Sequence, residues 1–507
     1  MATKEQIEVR HTPHLQKNTH HHEGHKANLG FWSLTSLVVG SIIGSGIFNL
    51  VNAMTGSGAS GIGILIAWAV MGVGLLFLVL CFINLNKKRP DLDAGVYSYA
   101  RAGFGKFIGF NSTWSYWISA WIGNVAYATA VFSSLNFFIK NIFVNADGNI
   151  TGWTVFGATV LIWLVMLAVA RGVKSAAILN VIATIGKIVP IAIFIIAIAV
   201  AFKYQIWNAN FWGDAMKGGQ IDWHNLFNQV TGAMLALVFA FIGIEGASNM
   251  SGEARQKKEV GRATIFGFLA VVAIYMLITV LSLGVMSSNG ITGLNTNTST
   301  AMAQILESVV GRWGGALVSI GMIISVLGVW IAWTLFAVEI PFQAAKQKTF
   351  PAIFAKVNKR GAPIVALVVT SLCIQVFVLA DLWSTQPYNL MFTLCASMIL
   401  IPYLLVAGYQ LKLSLTEKKK SVWQIIVGLV ATLFAIWLIY AGGLNYALVM
   451  AIMFALGIII YAWSQHEIRE KVFSKWWEWL IAILIILIGL YALWWMIWGG
   501  GWAALMG

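Results

Sequence analysis

Gly40-Ser41-Ile42-Ile43-Gly44-Ser45-Gly46-Ile47-Phe48 interrupts an apolar run spanning residues 30–53. A run of that length reads as a membrane-spanning helix, because about 20 apolar residues cross the hydrocarbon core of a bilayer. Inside lipid every backbone N–H and C=O must find a partner within the protein, so small, flexible residues at mid-depth need a reason. A second interruption, Phe239-Ala240-Phe241-Ile242-Gly243-Ile244-Glu245-Gly246-Ala247-Ser248, follows five apolar segments later. Breaks at corresponding positions are the pattern of two inverted five-helix repeats, each opening with a discontinuous helix.

The rest of the chain agrees with a lipid solvent. Apolar residues make up 59% of its 507 positions and charged residues 10%, against about 25% charged in a soluble domain. Mean hydropathy is +0.81. Apolar segments fall near 30–53, 61–85, 107–139, 152–170, 178–203, 226–250, 263–286, 312–341, 363–382, 388–411, 422–441, 444–463 and 477–498, which predicts thirteen spans. The expected fold is an all-α integral membrane protein with a five-plus-five inverted-repeat transporter core and broken helices 1 and 6. The domains are a cytoplasmic, disordered His-rich tail (1–28), a first repeat (29–205), a second repeat (206–412) and peripheral helices 11–13 (413–507).

Net charge is +14, yet the Lys and Arg residues sit in short loops between apolar runs, which argues against nucleic acid as a partner. With the N-terminus in the cytoplasm, 27 of the 32 fall in the tail and inner loops, a positive-inside bias that predicts a multi-pass protein of the inner (plasma) membrane. An odd number of spans then puts the C-terminus on the far side. Cys81, Cys373 and Cys395 all lie in apolar segments, so no disulfide framework is expected. The tail histidines (His11, His14, His20, His21, His22, His25) lack acidic or Cys partners at ligand spacing, and no metal or cofactor is expected. No cleavable signal peptide is read.

A broken helix offers unpaired N–H groups and a positive dipole end to an anion. Gly44, Ser45 and Gly46 would hold a carboxylate, while carbonyls near Ile242 and Gly243 would accept from an ammonium group. Together they describe a receptor for an α-amino acid head group. Three ionisable groups read as lying at membrane depth, where such residues are costly and functional by default: Lys187, Glu245 and Glu339. Lys187 would bridge the first broken helix to the core. Glu245 would change charge by protonation or by pairing with a cation. Glu339 is read equally as a charge-coupling group and as a structural ion-pair partner. Trp333, in mid-segment, offers a cation–π face. Tyr116 and Asn124, two turns apart, would face the same cavity.

These motifs resemble the basic amino acid/polyamine antiporters of the amino acid–polyamine–organocation superfamily, over roughly residues 30–460. The matching stretches are Gly44-Ser45-Gly46-Ile47-Phe48, Trp121-Ile122-Gly123-Asn124, Phe241-Ile242-Gly243-Ile244-Glu245, Trp333-Thr334-Leu335 and Ala344-Ala345-Lys346. A thirteenth segment resembles the arginine/ornithine branch. The resemblance implies a carboxylate site at Gly44, Ser45 and Gly46 with Ser41 and Ile43 beside it. It implies contacts from Asn124 and Trp333 to the cationic end of the substrate, a gating role for Tyr116, coupling through Glu245, and a sodium-site mimic in Lys187. Phe239 stands where the arginine/agmatine branch has a gate tryptophan, and Ala120 where it has a cysteine.

The expected activity is alternating-access exchange of a cationic amino acid for a related amino acid or amine, arginine for ornithine first. Histidine/histamine and agmatine/putrescine exchange are alternatives, as is a proton-coupled amino acid importer. No enzyme activity is expected. The partners are small amino acids and amines and the lipid bilayer, with the oligomeric state open between monomer and homodimer.

Overall fold

A computed structural model of the chain describes residues 30–92, 96–171, 176–245 and 257–506; the His-rich tail falls outside them. The described residues are almost entirely helical. In chain order the helices are α1 (Phe31–Ile42), α2 (Gly46–Gly56), α3 (Gly61–Lys88), α4 (Val96–Phe104), α5 (Lys106–Asn136), α6 (Gly152–Ala170), α7 (Ala176–Ala201), α8 (Tyr204–Phe211) and α9 (Trp223–Ala240). They continue as α10 (Lys257–Leu283), α11 (Ser288–Thr292), α12 (Ala301–Val310), α13 (Arg312–Lys346), α14 (Ile364–Ala380), α15 (Pro387–Thr416), α16 (Val422–Ala441), α17 (Leu444–Glu467), α18 (Trp476–Trp498) and α19 (Gly501–Met506). One short antiparallel hairpin, Met216–Lys217 with Gln220–Ile221, precedes α9.

Among the described residues eleven helices are long and apolar enough to cross a membrane. The first expected segment is a bent pair: α1 and α2 meet at 50° across Ile43–Ser45. The sixth enters as α9 and leaves helical geometry at Phe241, and its expected continuation from Gly246 lies outside the described residues.

Polarity sorts the bundle. The least apolar span, α5, carries Ser112, Ser115, Ser119, Asn124 and Thr129 and is 94% buried across its membrane window, whereas α18, whose one charged residue, Glu478, lies in its first turn, is 17% buried. Polar side chains find no partner in lipid, so the helix that carries them takes the centre and the helix without them takes the rim. Helix α5 packs most extensively on α15 and α13. Its hydroxyls bond back into that interface: Ser115 to the Met398 carbonyl (2.6 Å), Ser119 to the Cys395 carbonyl (2.9 Å).

The contact that places the site is between α7 and α13. A Cβ on Gly321 would lie 2.3 Å from the Pro190 ring and 2.6 Å from the Gly186 carbonyl, and one on Gly186 would lie 2.7 Å from Ile324. Backbones this close are the small-residue packing of membrane helices. It holds the next residue, Lys187, against the broken first helix. Gly321→Val should therefore destabilise the protein by about 1–3 kcal/mol through overpacking, seen as a lower thermal midpoint in detergent. Gly72→Ala, where the nearest foreign atom is 3.9 Å away, should leave that midpoint unchanged.

Candidate functional site

A helix that stops inside a membrane strands its last carbonyls. At the end of α1 these are met from two helices. Lys187 Nζ donates to the carbonyls of Gly40 (2.6 Å) and Ile43 (2.9 Å), and Tyr275 donates to that of Ile42 (3.3 Å). The ammonium is 1% exposed and sits at the negative end of the helix dipole, where a cation is favoured. Across the break the situation reverses. The N–H groups of Gly44, Ser45 and Gly46 have no hydrogen-bond partner among the described residues. They form the positive start of α2.

The two breaks touch. A Cβ on Gly46 would lie 3.1 Å from the Phe239 ring and 3.2 Å from Ala240 Cα. Gly243 has φ +107°, a conformation open to glycine, and its Cβ position is 2.5 Å from the Ser41 carbonyl oxygen. Ser41 Oγ donates to the Gly243 carbonyl at 3.3 Å. Of the expected residues, Gly46 thus lies beside Phe239, and Ser41 beside Gly243. Of the carbonyls expected to accept an ammonium, near Ile242 and Gly243, the second is approached by Ser41, while Lys187 takes that of Ile43 on the first break.

Glu245 closes the second break. It is 1% exposed and accepts from Tyr116 on Oε1 (2.8 Å) and from Tyr403 on Oε2 (2.8 Å), with the Gly243 N–H at 3.2 Å. One carboxylate therefore ties α5, α15 and the sixth-segment break together. Phe336 extends the cluster, edge-on to Tyr116 (5.2 Å between centroids) and to Trp333 (5.4 Å). The Trp333 ring reaches within 3.7 Å of the Gly243 Cβ position. Asn124 donates to Thr334 Oγ1 at 3.3 Å, and Ala120 is buried one turn earlier on α5.

Glu339 is not brought into this cluster. It is exposed on α13 and bonds to Gln343 one turn on, with no ion pair among the described residues. Its position near the end of an apolar run made it look buried; the outward face of the helix explains the difference. Conversely, an ionisable group outside the expected three is buried. Asp381, at the end of α14, is 2% exposed and accepts from Thr129 (3.0 Å). Tyr403 and Tyr388, both in α15, also escaped the sequence reading, because a lone tyrosine in an apolar helix carries no positional signal. Tyr388 donates to Ser45 Oγ at 3.3 Å.

A cavity of about 740 Å³ opens above this region, at the end of the bundle away from the basic loops. It is lined by amides and hydroxyls, including Asn52, Asn149, Asn297, Asn389 and Thr393, with Phe392 at its floor. Below Phe392 a much smaller pocket touches Gly46, Asn49, Phe239 and Tyr388. Phe239 and Phe392 pack at 5.4 Å between them. The arrangement is a polar vestibule, an aromatic constriction, a polar centre at the two breaks, and a hydrogen-bonded seal at Glu245.

The seal makes a testable claim. Tyr116→Phe and Tyr403→Phe should each cost about 1 kcal/mol in chemical denaturation in detergent micelles. Because both serve one carboxylate, the double variant should depart from the sum by at least about 0.5 kcal/mol. Additive losses would mean that the two hydroxyls do not share Glu245.

Comparison with known proteins agrees with this architecture. A chain of Pseudomonas aeruginosa, an arginine/ornithine antiporter, is 40% identical over 482 residues, covering 92% of this chain and 97% of its own. An arginine/agmatine antiporter of Chlamydia abortus is 40% identical over 86% of this chain and 89% of its own. The crystal structure of MhsT in complex with L-phenylalanine superposes with a TM-score of 0.57, covering 83% of this chain and all of that one, at 14% identity, which speaks for the fold alone. The profile of the amino acid permeases matches residues 29–446: this chain is a multi-pass membrane transporter, not an enzyme, and belongs to the amino acid permease family.

Proposed function

We propose that the chain is an antiporter that exchanges a cationic amino acid for a related one, arginine for ornithine, by alternating access. The observation that carries the reading is the junction of the two breaks. It sets unpaired N–H donors at Gly44–Gly46 opposite the face formed by Trp333, Asn124 and Glu245. A zwitterion with a cationic side chain is chemically complementary to the two, carboxylate to the donors and cation to the indole. The names of the two similar antiporters favour the same substrate class.

Lys187 takes the place a metal ion would occupy at the end of α1, so the site closes without bound sodium. Glu245 with Tyr116 and Tyr403 shuts the path on the basic side, while Phe239 and Phe392 narrow it from the vestibule. A substrate that binds better to the closed state than to either open one drives the switch between them. The 27 of 32 basic side chains in the tail and alternate loops favour an N-terminus and sealed end in the cytoplasm, with the vestibule outside the inner membrane.

Counterflow in proteoliposomes tests the exchange. Uptake of labelled arginine should require preloaded ornithine and survive an uncoupler; uptake without preload that the uncoupler abolishes would make the protein a proton-driven importer. Trp333→Leu should weaken arginine about tenfold, the worth of a partly desolvated cation–π contact. Lys187→Met should abolish exchange while the protein still purifies as a folded species, and full activity in that variant would remove the sodium-free closure.

A further inference from the structure

On α5 the site residues recur at helical spacing: Tyr116, Ala120, Asn124 and then Tyr127. The first three are accounted for above. Tyr127 is not. Its side chain is 7% exposed, and its hydroxyl lies 3.5 Å from where a Cβ on Gly44 would be. That hydroxyl makes no hydrogen bond among the described residues, in a helix whose other buried hydroxyls mostly bond. It therefore stands at the start of α2 beside three N–H groups that also lack partners, with Ser45 Oγ held in place by Tyr388.

We propose that Tyr127 completes the carboxylate site and makes the carrier select for substrates that keep their α-carboxylate on both legs of the exchange. This rests on the proposed amino acid site and deepens it. The reason is one of accounting for donors. A carboxylate has about four lone-pair sites to offer the N–H groups of Gly44–Gly46 and the hydroxyls of Ser45 and Tyr127, enough to satisfy most of that set at once. An amine formed by decarboxylation reaches the Trp333 face equally well but leaves that set buried and unpaired. A site built to hydrogen-bond a substrate group rejects an analogue lacking it far more strongly than an apolar pocket rejects a missing methylene. The cationic end thus sets the side-chain class, and Tyr127 with the break of the first segment excludes the free amines. Of the exchange partners compatible with the fold, the geometry points to amino acid for amino acid rather than amino acid for amine.

The experiment is equilibrium binding to the purified full-length protein in detergent, with arginine, ornithine and histidine set against agmatine, putrescine and histamine. The wild type should bind at least one amino acid of the panel about a hundredfold or more tighter than its amine, a ratio within reach of a site that loses several donors at once. Tyr127→Phe should weaken that amino acid about tenfold, the worth of one hydrogen bond to a charged group, and leave its amine unchanged. Arginine amide, which keeps the side chain and loses the charge, should behave like agmatine in the wild type, a check that does not depend on the variant folding. Amines binding as well as amino acids, or a Tyr127→Phe loss shared equally by both, would overturn the assignment. Carboxylate selectivity intact in a protein that fails to exchange would instead sink the antiport reading and leave the Tyr127 assignment standing.

Discussion

The carbonyls at the end of α1 are the constraint from which the rest of the site follows. A helix that ends at mid-membrane carries several stranded acceptors and half a negative charge, and lipid offers nothing to them. In this chain the Lys187 ammonium supplies the donors, with Tyr275 taking one more carbonyl. The exchange is reciprocal. A buried ammonium is costly without acceptors, and the stranded carbonyls provide them. Once that end is fixed, the chain can turn at Gly44–Gly46 and begin α2 with its N–H groups directed at the second break.

Each neighbouring feature then has a mechanical role. Close packing at Gly186 and Gly321 brings α7 near enough for Lys187 to reach the break. Contact between Gly46 and Phe239, and between Gly243 and Ser41, locks the two breaks to each other, so movement of one half-helix must move the other. Glu245 fastens that junction to α5 and α15 through two tyrosines. Hydrogen bonds to a single carboxylate can be exchanged for bonds to a substrate or a proton at modest net cost, which apolar packing cannot offer. The seal is therefore the part of the structure best suited to open.

Much of this was legible in the sequence. Glycines and serines inside apolar runs mark both breaks, Lys187 and Glu245 are recognisable because charge at depth demands a partner, and Tyr116 through its two-turn spacing from Asn124 and the family resemblance. The sequence could not say which partner. Tyr403 completes the Glu245 seal from a helix whose periodicity is uniformly apolar, and Asp381 sits at the last turn of a span, where a carboxylate ordinarily reads as a boundary. Glu339 misled for the converse reason: its place along the helix suggested depth, while its place around the helix faces outward. Direction about a helix axis is invisible in a run that is apolar on every side, and most spans here are of that kind.

A structure of the protein with arginine bound would test the account most directly. The carboxylate should lie within hydrogen-bond distance of the Gly44–Gly46 N–H groups and the Tyr127 hydroxyl, the guanidinium against the Trp333 indole, and Lys187 still on the carbonyls of Gly40 and Ile43. Arginine seated elsewhere, or bound with its carboxylate away from the first break while Lys187 leaves those carbonyls, would contradict it.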